Sequence, residues 1–343
     1  MIPVRNIYYM LAYSFRDLQR SGYEELAAED FENSAELCAA ILAKGIESQV
    51  KRGLGREYVE EAEALSTLRG KIDVSESLKT QTFSKRQAVC SYDVFSTDSV
   101  MNRILKATML LLLSSDIAPK RKKPLRKLLP YFSEVAQIDV RSIDWNVRLN
   151  RNNETYRMLL FVCYLVVGGL LQAGKRGASR LTGYIDDRPM CQLYEKFILA
   201  YYRKEHPELH AGAPRISWKL DDGMGDMLPR MQTDIVLERQ DKMLIIDAKY
   251  YTRTMQQRYG VRKIHSQNLY QIFAYVKNKQ FEQTEEPCAV SGLLLYAQTD
   301  EVMVPHNEYA MSGNRIGVQC LDLDCDFSEI RQQLDAIVEC YLQ

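Results

Sequence analysis

The sequence predicts an α/β protein in two parts. Residues 1–150 form an N-terminal α+β domain, and residues 151–343 form a mixed sheet flanked by helices. Three observations carry this. The chain has 343 residues, more than one hydrophobic core usually serves. The second half alternates segments of helical and strand periodicity, as layered α/β folds do. A polar stretch, Asn150–Glu154, precedes a strongly apolar one and marks the boundary.

Taken in order, an aromatic-rich helix is expected over Asn6–Leu18, with Ile7, Met10, Leu11, Ser14 and Phe15 on one face. A second helix, Ala35–Arg52, follows the capping pair Asn33–Ser34 and stops at Gly53. Glu57–Ala64, Leu68–Val74 and Gln87–Val94 read as strand-like pieces. A long helix, Ser99–Leu113, follows a capping stretch at Ser96–Asp98. Pro119–Lys127 gathers Lys120, Arg121, Lys122, Lys123, Arg126 and Lys127; without interleaved aromatics it reads as a solvated face rather than a phosphate-binding one. Beyond the boundary come a buried helix (Thr155–Leu171), a loop (Gly174–Asp187), a helix (Met190–His206) and a strand (Arg215–Lys219). A hairpin, a helix (Ser266–Lys277), two strands (Val290–Ala297, Gly317–Leu321) and a last helix (Ser328–Leu342) complete the chain.

Lysines and arginines number 45 against 45 acids, so any nucleic-acid surface is local or supplied by a partner. The eight cysteines include no C-x-x-C pair, and there are four histidines. That argues against a zinc site and for a reducing, cytoplasmic setting. Met1–Arg5 does not open like a signal peptide, and the apolar run Met158–Leu171 is too short to span a bilayer. No membrane association is expected.

The chemistry concentrates in the hairpin Thr233–Tyr251. Ile235–Leu237 and Met243–Ile246 flank a polar tip. A two-residue loop at Gln240–Asp241 pairs Arg239 with Lys242, Ile235 with Ile246, and sets Asp234 opposite Asp247. Lys249, two residues on, returns to the face of Asp247. Carboxylates about 5 Å apart across a strand pair can share a hard cation such as Mg²⁺, with the Ala248 carbonyl as a third oxygen. Such a metal acidifies water and stabilises charge on a phosphodiester, while Lys249 positions the water or neutralises the phosphorane. Two further elements are candidates for support. Glu195, at the edge of an apolar helix face, is a potential extra metal ligand or an ordinary surface acid. Gln267, Gln271 and Tyr275 form one polar stripe on the next helix, opposite Leu269, Ile272, Phe273 and Val276, and are placed to order Lys249 or meet a phosphate. The near-match to a phosphate-binding loop, Gly169–Arg176, lacks the Mg²⁺-binding hydroxyl and reads as helix.

Asp234…Asp247-x-Lys249 followed by Gln271-x-x-x-Tyr275 resembles the PD-(D/E)XK nuclease signature in its RecB-like form. More narrowly, Ile2–Phe15, Leu68–Val74, Asn102–Lys106, Leu228–Ile235, Ile246–Tyr251 and His265–Gln271 resemble McrC, the nuclease subunit of McrBC modified-cytosine restriction systems. One departure is Met231-Gln232-Thr233 before Asp234, where the superfamily pattern has proline. The resemblance implies a C-terminal restriction-endonuclease-like domain and Mg²⁺ or Mn²⁺ at Asp234 and Asp247. It also implies a McrB-like AAA+ GTPase hexamer as partner and double-stranded DNA with modified cytosine as substrate. The N-terminal half would dock on the ring, through the first helix and the region Leu68–Val94. Two other readings stay open: an inactive scaffold subunit of such a complex, and a free-standing repair nuclease.

Overall fold

The structure is a computed structural model that describes residues 2–19, 23–149, 155–175, 187–250, 255–258, 261–282, 288–298 and 305–343. The chain divides into two compact units. One joins Met1–Ser34 to Leu181–Gln343, and the other is Ala35–Arg180. This departs from a division at 150/151, because the first helix spends its apolar face within the C-terminal unit and the buried helix packs within the other.

The chain enters through helices α1 (Val4–Ser14) and α2 (Glu24–Ala27). In α1, Ile7, Tyr8, Met10 and Leu11 are buried. Asn6 is buried too, and donates to the carbonyls of Leu323 (2.9 Å) and Cys325 (2.8 Å). The aromatic face of α1 is therefore engaged internally: Tyr13 lies against Phe197, Tyr201 and Phe327. This face of α1 is thus occupied within its own unit.

The Ala35–Arg180 unit contains α3 (Ser34–Arg52), β1 (Glu57–Leu65), β2 (Lys71–Ile72), α4 (Val74–Lys79) and β3 (Ala88–Ser96). It continues with α5 (Val100–Ser114), α6 (Pro119–Leu128) and α7 (Tyr156–Lys175). The strands form an antiparallel sheet in the order β1-β3-β2. Of the expected strand Leu68–Val74, only Lys71–Ile72 pairs. Gly70 has a positive φ of 66°, and a Cβ there would sit 2.3 Å from the Ser91 carbonyl oxygen, which only glycine tolerates. Asp73 then caps α4 by accepting from Glu76 N–H (2.9 Å), so helix replaces strand. The basic stretch is α6, with Pro119 in its first turn. The near phosphate-loop Gly169–Lys175 lies inside α7, as its helical pattern predicted. The expected boundary Asn150–Glu154 and residues 176–186 of the expected loop lie outside the described residues.

The other unit continues with α8 (Asp187–Glu205), β4 (Arg215–Ile216), β5 (Met231–Gln232), β6 (Ile235–Arg239), β7 (Lys242–Lys249), β8 (Met255–Arg258) and β9 (Val261–Ile264). Then come α9 (Ser266–Glu282), β10 (Ala289–Ala297), β11 (Asn307–Met311), β12 (Asn314–Leu321) and α10 (Phe327–Leu342). Its main sheet runs β11-β12-β10-β7-β6. It is mixed: β7, β10 and β12 are parallel neighbours, while β6 and β11 are antiparallel edges. Helix α9 covers one face, where Ile272, Tyr275 and Val276 pack with Val236, Ile245 and Leu294. Gly292 admits this approach, since a Cβ there would come within 2.8 Å of both Ile272 and Val276. Helix α10 reaches the other face, where a Cβ on Gly317 would collide with the Tyr341 hydroxyl at 2.0 Å. The edge strand β11 and the hairpin β8–β9 were not legible in the sequence. Both are short, and a polar, non-alternating strand gives no period-two signal.

Candidate active site

The hairpin register is the expected one: Arg239 pairs with Lys242, Leu237 with Leu244, and Ile235 with Ile246. The ladder stops there. Asp234 stands one residue before the strand, and its carboxylate accepts from the N–H of Ala248 at 3.0 Å. In an extended strand a residue's N–H and C=O point to the same edge, so the Ala248 carbonyl faces the side on which Asp234 sits. Asp247 and Lys249 continue the face of Met243 and Ile245, and the Lys249 ammonium donates to Asp247 Oδ1 at 2.9 Å. Asp234 and Asp247 are close enough to influence each other's protonation.

Burial differs sharply within this group. Asp247 is 1 % exposed, whereas the Lys249 side chain retains 16 % and Asp234 is intermediate. The group is thus reached from solvent through Asp234 and Lys249, with Asp247 at its floor. Asp247 Oδ2 is buried without a hydrogen-bond partner, an expensive state for a carboxylate oxygen. Burial pushes the Asp247 carboxyl above its usual range; the Lys249 charge opposes this and the Asp234 charge adds to it. Asp234 is raised as well, chiefly by burial, against the pull of Lys249 and the Ala248 N–H. The ion pair therefore does not fully offset the dehydration of these acids.

Glu195, on α8, belongs to the same electrostatic neighbourhood. Its carboxyl is pushed up to about 7, first by burial and then by the charge of Asp234, with Lys249 opposing. Among the described residues, however, no three His, Cys, Asp or Glu side chains are gathered as a metal-holding group. What the fold brings tightly together is the pair Asp234 and Asp247, with Lys249.

The polar stripe on α9 divides. Gln267 is exposed and Gln271 intermediate, but Tyr275 is buried. Its ring joins the packing layer under the sheet, and its hydroxyl accepts from Gln271 Nε2 (2.8 Å) and donates to the Gln232 carbonyl (3.1 Å). Gln271 and Tyr275 therefore pin β5 two residues upstream of Asp234, and Tyr275 is not presented to a phosphate. The sequence reading missed Asn268 and Tyr296. Tyr296 pairs with Lys249 in the β7–β10 ladder and accepts from Asn268 Nδ2 at 2.9 Å. The only signal for it was a tyrosine at the end of an otherwise apolar strand.

The donor set fits a hard divalent cation: two carboxylates, one carrying a buried unpartnered oxygen, and a main-chain carbonyl at the same edge. A testable consequence concerns stability. A carboxyl raised in the folded state stabilises the fold below its unfolded value of about 4, and that contribution is lost as pH rises through the folded value. With chelator present, Asp247→Asn should melt higher than the parent at pH 7.5, and the gap should narrow at pH 5. Thermal melts at the two pH values check this; an Asn variant that melts lower at pH 7.5 contradicts it.

Residues 4–297 match the family described as McrBC 5-methylcytosine restriction system component. The chain belongs to this McrBC family. A curated relative, the "Type IV methyl-directed restriction enzyme EcoKMcrBC" of Escherichia coli (strain K12), is 29 % identical over 352 residues, covering 100 % of this chain and 99 % of the relative. Two solved structures are similar. One is a half-complex from a tetradecameric assembly of Thermococcus gammatolerans McrB AAA+ hexamers with bound McrC, with 20 % identity, a TM-score of 0.44, and coverage of 98 % of this chain and 76 % of the other. The second is the Thermococcus gammatolerans McrBC complex, with 24 % identity, a TM-score of 0.41, and coverage of 59 % and 58 %. In this McrBC-family chain no helix among the described residues is long and apolar enough to cross a membrane.

Proposed function

We propose that this chain is the Mg²⁺-dependent endonuclease subunit of a McrBC-type restriction complex. It would cleave double-stranded DNA containing modified cytosine and stimulate GTP hydrolysis by a McrB-like AAA+ hexamer. The observation that carries the reading is the orphaned oxygen of Asp247, buried beside a second carboxylate and an ion-paired lysine. A PD-(D/E)XK site needs this combination, and a structural hairpin has no use for it.

In this reading Asp234 and Asp247 hold the metal, with the Ala248 carbonyl as a further ligand and Glu195 at the margin. The bound cation supplies Lewis acidity and an acidified water. Lys249, held by Asp247, presents positive charge to the scissile phosphate as negative charge builds on it. Gln271 and Tyr275 act at one remove by fixing Gln232, and hence the entry to Asp234. This chain carries no competing nucleotide site at Gly169–Lys175, which is helical, so GTP turnover falls to the partner.

Docking is assigned to the segment Glu57–Ser96. Tyr58 and Phe95 pair across β1–β3 at 5.1 Å between ring centroids, yet are 74 % and 54 % exposed. Leu68, Val74, Leu78 and Phe83 are exposed in the same segment. An exposed aromatic pair with further exposed apolar side chains in the same segment suits an interaction site.

The test is cleavage of methylated DNA by the reconstituted complex with GTP. Activity should require Mg²⁺ or Mn²⁺, vanish with chelator and return on metal addition. Failure to cut under any metal would favour the inactive scaffold. Cutting without partner or nucleotide, indifferent to methylation, would favour the free-standing nuclease.

A further inference from the structure

Immediately before the candidate site the chain makes an excursion from β4 to β5 that the hairpin does not require. Its two short strands pair Arg215 with Gln232 and Ile216 with Met231. Between them lies a cleft of about 320 Å³, at the small end of the roughly 300–1,000 Å³ typical of ligand clefts. Its floor is Ile216 and Met231, both part of the core, and Trp218 and Pro229 line it. The charged members of its wall are both arginines, Arg215 and Arg230. The acids of the same excursion, Asp221, Asp222 and Asp226, do not line it.

Trp218 is the unusual feature. It is 36 % exposed, yet it is held from three directions. Its indole N–H donates to the Pro229 carbonyl at 2.6 Å. The backbone N–H groups on either side of it, Ser217 and Lys219, donate to Glu282 Oε1 and Asn278 Oδ1 of α9, each at 2.8 Å. A large aromatic left at the surface gains little from such fixing unless its face is used. A rigid aromatic wall beside two arginines is the combination that takes a stacked base and its phosphate. Along the chain, Met231 in its floor lies three residues before Asp234.

We propose that this cleft is a subsite for one unstacked nucleotide of the nucleic-acid substrate, with its base against Trp218 and its phosphate between Arg215 and Arg230. The inference rests on the nuclease reading above. It adds that the substrate is held in a locally unstacked form at this cleft.

The chain has two tryptophans, so Trp145→Phe leaves Trp218 as a single fluorescent reporter. In that background, combined with Asp247→Ala and without metal, a single-stranded dT oligonucleotide should quench the emission. The quenching should weaken with salt and with Arg230→Ala. In the full complex with GTP and methylated DNA, Trp218→Ala should lower cleavage about tenfold or more, in line with the strength of base–aromatic stacking. Trp218→Phe should recover most of the loss, and Arg230→Ala should raise the KM for DNA with a smaller change in kcat. Absence of quenching overturns the proposal, as does wild-type cleavage by Trp218→Ala. If the wild-type complex cuts nothing, the nuclease reading fails on its own terms and the fluorescence titration still decides the subsite.

Discussion

Replacing Asp247 or Lys249 by alanine should lower DNA cleavage by about a thousandfold, the scale on which loss of a transition-state charge partner acts. Each does so for a different reason. Asp247→Ala removes the carboxylate whose Oδ2 has no protein partner, and with it half of the pair that suits a cation. Lys249→Ala removes the ammonium held 2.9 Å from Asp247 Oδ1, and with it the positive charge that, in the proposed nuclease reading, would face the phosphate. Neither change should alter assembly with the GTPase partner or its GTP turnover, because both residues belong to the hairpin end and not to the exposed segment Glu57–Ser96. Glu195→Gln should cost far less, about tenfold, since Glu195 feels the pair's charges without joining a three-carboxylate group. Gel-resolved cleavage and phosphate release measured on the same preparations separate these outcomes. Near-normal cutting by either alanine variant would remove the site assignment.

Asn102→Leu should destabilise the Ala35–Arg180 unit by about 3 kcal/mol or more while leaving the hairpin chemistry untouched. Asn102 is fully buried, and its Nδ2 donates to the carbonyls of Gly55 and Thr97, both at 2.8 Å. Its Oδ1 accepts from the Tyr156 hydroxyl at 2.9 Å, which in turn accepts from Gly55 N–H at 2.7 Å. One side chain thereby ties α5 and α7 to the chain entering β1. Leucine would strand two carbonyls and a hydroxyl away from water, at about 1–3 kcal/mol for each unsatisfied group. The neighbouring pair is a useful contrast. Arg103 binds Asp98 through two contacts of 2.7 Å, but both side chains are partly exposed, so Arg103→Ala should cost about 1 kcal/mol or less. Denaturant titration of the full chain, followed by probes in each unit, measures both. A leucine variant as stable as the parent would mean that water reaches this network.

These two sites differ in how much the sequence disclosed. The hairpin register that brings Asp234 near Asp247 followed from a two-residue loop and period-two alternation, because a hairpin's register is a local property of its turn, but the ladder ends at Ile235 and Ile246 rather than at the two acids. The Asn102 segment drew attention as a resemblance, but its role did not, since its partners at Gly55 and Tyr156 are far away in sequence. Tyr275 shows the same limit. Its helical spacing from Gln271 was legible, but a polar stripe and a packing stripe overlap at tyrosine, whose ring buries while its hydroxyl bonds. Leu68–Val74 failed for a local reason: Gly70 and the cap at Asp73 outweigh its strand-like composition.

The sequence by itself determined the helices with clear periodicity, the hairpin and its register, and the convergence of two acids and a lysine at one end. All depend on interactions within a few residues or across a single turn. Only the tertiary structure decided that α1 belongs with the C-terminal unit, that Asp247 is nearly sealed while Asp234 and Lys249 stay accessible, and that an exposed Trp218 is held by Pro229 and, through its neighbours, by α9. Burial and long-range hydrogen bonding set those outcomes, and neither is written in spacing along the chain.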